Sequence, residues 1–79
     1  MEIKVLGPGC KNCSALELAT EEALDQLGMD IGFTKVTDYG EIASYGVLNT
    51  PAMVIDDELK FAGRVPSIDE LKKLIAASA

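Results

Sequence analysis

The chain has 79 residues, 48% of them hydrophobic and 25% charged, a balance that suits one globular domain spanning residues 1–79 and leaves no length for a second. Seven basic against thirteen acidic side chains give a formal charge of −6, and the basic ones (Lys4, Lys11, Lys35, Lys60, Arg64, Lys72, Lys73) are scattered rather than clustered. A surface of that sign repels phosphate backbones, so no nucleic-acid partner is expected. Nor is a membrane, because no apolar run approaches the roughly 20 residues of a span.

The opening Met1-Glu2-Ile3-Lys4-Val5 lacks the basic-then-apolar order of a secretory leader, so the expectation is a cytoplasmic protein. Ile3 and Val5 alternate with polar neighbours over Glu2–Leu6 and run into Gly7-Pro8-Gly9, which predicts a short strand ended by a breaker. From Cys10 to Leu27 the residues Leu16, Ala19, Ala23, Leu24 and Leu27 recur at helical spacing, with Glu17, Glu21, Glu22 and Asp25 opposite them. Gly28 stands where a left-handed cap ends such a helix.

Asp30–Val36 alternates Ile31 and Phe33 and carries β-branched Thr34 and Val36, which predicts a second strand. Asp38 is placed to cap a short helix through about Tyr45, with Ile42 and Ala43 turned inward and Gly46 closing it, although Gly40 weakens it by about 1 kcal/mol relative to Ala. After a linker over Val47–Pro51, Ala52-Met53-Val54-Ile55 reads as a buried central strand. Asp56-Asp57-Glu58 reads as a polar turn and Leu59–Ala62 as the returning strand of a hairpin.

Ser67-Ile68-Asp69-Glu70 matches a capping box, in which the Ser67 hydroxyl takes the Glu70 amide and the Glu70 carboxylate reaches back. Ile68, Leu71, Leu74 and Ile75 then form the apolar face of a last helix whose final turn, at Ser78, is expected to fray. The order β-α-β-α-β-β-α predicts an α/β fold: a four-stranded mixed sheet with three helices over both faces. Its first βαβ crossover is right-handed.

Cys10 and Cys13 are the only cysteines, spaced i and i+3 where a helix starts after a strand. Residues three apart on a helix are neighbours, so the pair can open and close a disulfide with little backbone movement. The unpaired amides of a helix N-terminus favour an anion, and Lys11 adds a full positive charge beside it. Lowering a thiol pKa from about 8.5 to about 7 requires roughly 2 kcal/mol of thiolate preference, and a helix end supplies about 0.3–2 kcal/mol. Cys10 is therefore the expected nucleophile, Cys13 the resolving thiol and Lys11 a tuning charge.

Two other readings compete. As a structural staple, a loop of about four residues removes only about 2 kcal/mol of chain entropy, and a reducing cytosol would open it. As a metal site, the pair lacks the four ligands that structural zinc or iron–sulfur clusters need, since the chain has no His, but two thiolates can hold a soft ion such as Cu(I). Copper carriers with a CxxC in this place continue β-α-β-β-α-β, which is not the order here. Neither a cofactor nor a resident metal is expected.

Combined with Thr50-Pro51 before a strand some forty residues on, the CxxC at the first helix resembles the thioredoxin/glutaredoxin superfamily. Gly7-Pro8-Gly9-Cys10-Lys11-Asn12-Cys13 and the short length resemble the minimal microbial thioredoxins in particular. An X-Pro bond taken alone is cis in only about 5–6% of cases. The resemblance instead implies a cis Pro51 packed beside the cysteines, with Thr50 offering backbone groups to an extended substrate segment. It also matches Gly63 to a glycine that lies close to the site, although a residue ending a strand reads the same way. It further implies activity on disulfide-containing target proteins, recharging by a thioredoxin reductase-type flavoenzyme, and a monomer with its cysteine surface open. The chain departs from ordinary thioredoxins in having Gly9 before the first cysteine, Lys11-Asn12 between the two, no Trp and no evident buried acid. Tyr39 and Tyr45 either approach the pair, as aromatic residues do in glutaredoxins, or pack a helix.

Overall fold

In the computed structural model, which describes residues 1–78, seven elements follow in the expected order: β1 (Ile3–Leu6), α1 (Lys11–Gln26), β2 (Thr34–Val36), α2 (Tyr39–Ser44), β3 (Ala52–Ile55), β4 (Glu58–Ala62) and α3 (Ile68–Ser78). The strands form one sheet in the order β2-β1-β3-β4, with β1 parallel to β2 and antiparallel to β3, and β3 antiparallel to β4. No helix among the described residues is long and apolar enough to cross a membrane.

Alternation along the strands divides the core in two. Ile3, Val5, Met53, Ile55 and Phe61 point to one face and pack with Leu16, Ala23 and Leu24 of α1 and Leu71 and Ile75 of α3. Leu6, Val36, Ala52 and Val54 point to the other and pack with Ile42 of α2 and Val47 after it. β3 is buried along its whole length because it lies inside the sheet with helices on both sides.

Helix α1 ends in a Schellman motif: the Met29 amide donates to the Leu24 carbonyl at 3.0 Å and the Gly28 amide to the Asp25 carbonyl at 3.0 Å, with Gly28 at φ +68°. Met29 and Leu24 pack in the same cluster, which fixes the chain's exit toward β2. The strand after it is shorter than the Asp30–Val36 expected. Its pairing with β1 covers only Thr34, Lys35 and Val36, opposite Lys4, Val5 and Leu6, and without a partner the preceding residues stay irregular. Ile31 is accordingly exposed on the surface.

Other local expectations need correction as well. Ala43 lies on the exposed side of α2, because a helix of six residues turns only a narrow stripe inward and Ile42 occupies it. The β3–β4 turn consists of Asp56 and Asp57 alone, at φ 50° and 66°, so Glu58 already belongs to β4. This is the primed-turn geometry that suits the strands' twist. A register irregularity pairs Met53 with Phe61 but Val54 with Leu59, so Lys60 has no opposite residue and the strand's alternation breaks there. At α3, Ser67 Oγ accepts the Glu70 amide at 3.2 Å, but the Glu70 carboxylate bonds the Arg64 guanidinium instead of reaching back. A charge-assisted bond to a guanidinium outweighs one to a neutral amide. The last turn does not fray: Ser78 is helical and its hydroxyl donates to the Leu74 carbonyl at 3.0 Å.

Candidate active site

The Gly7-Pro8-Gly9 breaker works as a corner. Gly7, just past the end of β1, is buried and still tied to the sheet's edge strand, its amide donating to the Val36 carbonyl at 2.9 Å. Gly9 adopts φ +94°, a left-handed conformation that costs glycine least. The chain thereby swings Cys10 into the N-cap position of α1, with φ −72° and ψ 170°.

There the Cys10 sulfur accepts the Cys13 backbone amide at 3.2 Å, and the Cys10 carbonyl accepts the Ser14 amide at 3.0 Å. Cys10 and Cys13 are joined in a disulfide with a Cα–Cα distance of 5.0 Å. The two halves differ in access: Cys10 is half-buried, whereas Cys13 is 0% exposed. Lys11 and Asn12 between them are both exposed, and α1 has no acidic residue in its first turn. Lys11 is the one charged residue within three positions of either cysteine. A helix end, a directed amide and a neighbouring ammonium are each features that favour an anion beside them.

The Thr50–Pro51 bond is cis. Pro51 is fully buried and Thr50 half-buried. The Pro51 carbonyl accepts the Gly63 amide at 2.8 Å, so Gly63 is fastened to the proline loop and does more than end a strand. Its φ of +78° suits glycine, and a Cβ there would stand 3.0 Å from the Asn49 Cβ. Val47, buried in the α2-side cluster, anchors the start of this loop, while Leu48 projects 95% exposed from it.

The sequence pattern of Gly7 suggested only a turn. An ideal Cβ at Gly7 would overlap the Cys13 sulfur, stand 3.1 Å from the Cys13 Cβ and lie 4.0 Å from the Pro51 Cα. Gly7 is thus the floor on which strand, cysteine helix and proline loop meet. Its only advance signal was a glycine three residues before a cysteine at a strand's end.

Of the two tyrosines, Tyr39 is 71% exposed on α2. Tyr45 packs against the α2-side cluster and its hydroxyl accepts Lys4 Nζ at 2.6 Å, a bond that holds the ammonium pKa above its ordinary value. Among the described residues, no three His, Cys, Asp or Glu side chains converge as a metal site.

A helix capped by a disulfide, flanked by a cis-proline loop on a β2-β1-β3-β4 sheet, defines a thioredoxin-like thiol–disulfide oxidoreductase. The model of the thioredoxin domain family matches residues 1–76. The chain is 40% identical over 76 residues to the thioredoxin of Methanothermobacter thermautotrophicus, covering 96% of this chain and 99% of that one. It is 38% identical over 71 residues to the thioredoxin of Methanocaldococcus jannaschii, covering 90% and 81%. The chain belongs to the thioredoxin domain family.

Proposed function

We propose that the chain reduces disulfides of other proteins, with Cys10 as the attacking thiolate and Cys13 as the resolving thiol. The observation that carries this reading is the contrast between the two sulfurs: Cys10, half-exposed, takes a helix-end amide at 3.2 Å, while Cys13 is sealed from solvent.

In the cycle, the Cys10 thiolate attacks one sulfur of a target disulfide, and the other target sulfur leaves as a thiolate that takes up a proton. The Cys13 thiol then loses its proton and attacks the Cys10 sulfur of the mixed disulfide. The second target sulfur leaves, and the Cys10–Cys13 bond closes. Two electrons pass to the target. Thr50, half-buried beside Pro51, presents its backbone to the extended target segment, and Gly63 keeps that loop in place through its bond to the Pro51 carbonyl. A thioredoxin reductase-type flavoenzyme returns the pair to the dithiol. The chain acts as a monomer in the cytoplasm, where the surrounding thiols are kept reduced.

The experiment is insulin reduction with a regenerating dithiol. The native chain accelerates it several-fold, and Cys10→Ser returns the rate to that of buffer. If the native rate equals buffer while the reduced protein holds Cu(I) tightly, the pair is a soft-metal carrier and the reductive reading fails.

A further inference from the structure

The contact between Gly7 and Cys13 has a chemical consequence. The Cys13 sulfur fills the space that a side chain at position 7 would need. Gly7 cannot retreat from it: its amide is bonded to Val36, and Leu6 before it is 0% exposed between Val36 on β2 and Ala52 on β3. Pro51 closes another side, its Cα 4.0 Å from the ideal Cβ position. The backbone is therefore held, and of the two Cys13 atoms in the way only the sulfur, which makes the closer approach, can turn aside; the Cβ at 3.1 Å stays where it is.

Whether the sulfur can yield depends on its redox state. In the disulfide it is tied to Cys10 at the N-cap and has no free rotation. In the dithiol the Cys13 side chain is released and can turn to another rotamer. We propose that Gly7 is a positioning residue for the redox couple: by carrying no side chain it reserves the room in which the bonded Cys13 sulfur lies, and so favours the disulfide over the dithiol. A methyl at position 7 strains the closed form more than the open one and makes the protein a weaker reductant.

The test equilibrates native protein, Gly7→Ala and the control Gly32→Ala with dithiothreitol. The reagent gives two electrons and two protons, the Cys10–Cys13 bond opens to two thiols, and the reagent closes its own disulfide. Gly32 has no atom within 4 Å of an added Cβ, so its variant matches the native chain. Gly7→Ala shifts the equilibrium toward the dithiol by tenfold or more, about 30 mV in a two-electron couple. An equilibrium within twofold of native, or shifted toward the disulfide, overturns the proposal.

Should Gly7→Ala not fold, Gly7→Ala on a Cys13→Ala background decides. The closest overlap is with the sulfur, so removing it restores most of the stability that Gly7→Ala loses and leaves only the milder contact with the Cβ at position 13. If it stays as unstable as Gly7→Ala, the glycine serves only the backbone and the proposal falls. The inference rests on the Cys10–Cys13 cycle of the proposed function. Exchange of the native chain with dithiothreitol establishes that premise first, so an unmoved Gly7→Ala then counts against the glycine alone.

Discussion

Three helices begin among the described residues, and their first turns are capped by three different atoms. At α2 the Asp38 carboxylate accepts the Glu41 amide at 3.0 Å, at α3 the Ser67 hydroxyl accepts the Glu70 amide at 3.2 Å, and at α1 a cysteine sulfur accepts the Cys13 amide at 3.2 Å. The geometry is the same in each case. The acceptors are not equivalent, because a neutral sulfur is a weak acceptor and oxygen is the preferred cap. The two oxygen-capped helices also carry acids in their first turns, Glu41 in α2 and Asp69 and Glu70 in α3, which offset the positive helix end. Helix α1 has none and carries Lys11 instead. Two helix starts have an oxygen cap and first-turn acids, while the third has a weaker sulfur cap and no acid to offset its positive end, which is the feature the proposed thiolate would use.

Lys11→Glu breaks this contrast most directly, by giving α1 the acidic first turn of its neighbours. In the reduced native chain, thiolate absorbance against pH is expected to place the Cys10 transition below about 8; a midpoint at or above 8.5 contradicts an activating helix end. In Lys11→Glu that midpoint rises by about one unit, and alkylation by iodoacetamide at pH 7 slows by about threefold to tenfold.

Asp38→Ala probes the opposite side of the comparison. It costs about 1 kcal/mol of stability in urea unfolding and leaves the Cys10 midpoint where it was. A moved midpoint would mean that the two helix starts are coupled.

The smallest effect concerns α3. The Arg64 guanidinium holds the Glu70 carboxyl below its ordinary value of 4.5, through a hydrogen bond first and charge second. Because the folded-state value is lowered, this contribution to stability is fully present above the unfolded-state pKa. It is lost as pH falls through the lowered folded one. Arg64→Gln removes that portion of the acid dependence as pH falls below the ordinary carboxyl value of 4.5, measured as the difference in unfolding free energy between variant and native. Both partners are exposed, so the difference is small and fades in high salt.

Much of the molecule was legible in the chain because its signals are local. The apolar period of α1, the alternation of Ile3 and Val5 and the continuous Ala52–Ile55 run each report which face is buried, and burial faces set the element order. What misled were places where a neighbour decides. The residues Asp30–Phe33 have a strand pattern but no strand beside them. Glu70 completes a capping box in sequence, yet Arg64, six residues upstream, takes its carboxylate.

The sequence by itself determined the candidate residues: two cysteines at the start of a helix, a basic neighbour, and a Thr-Pro step before a buried strand. These depend on residue type and spacing along one segment. The tertiary structure alone decided how they meet. It set the Pro51 carbonyl on the Gly63 amide, sealed one sulfur and left the other half-open, and pressed Gly7 against Cys13. Those are contacts between elements, fixed by how sheet and helices close on a shared core, and no single segment encodes them.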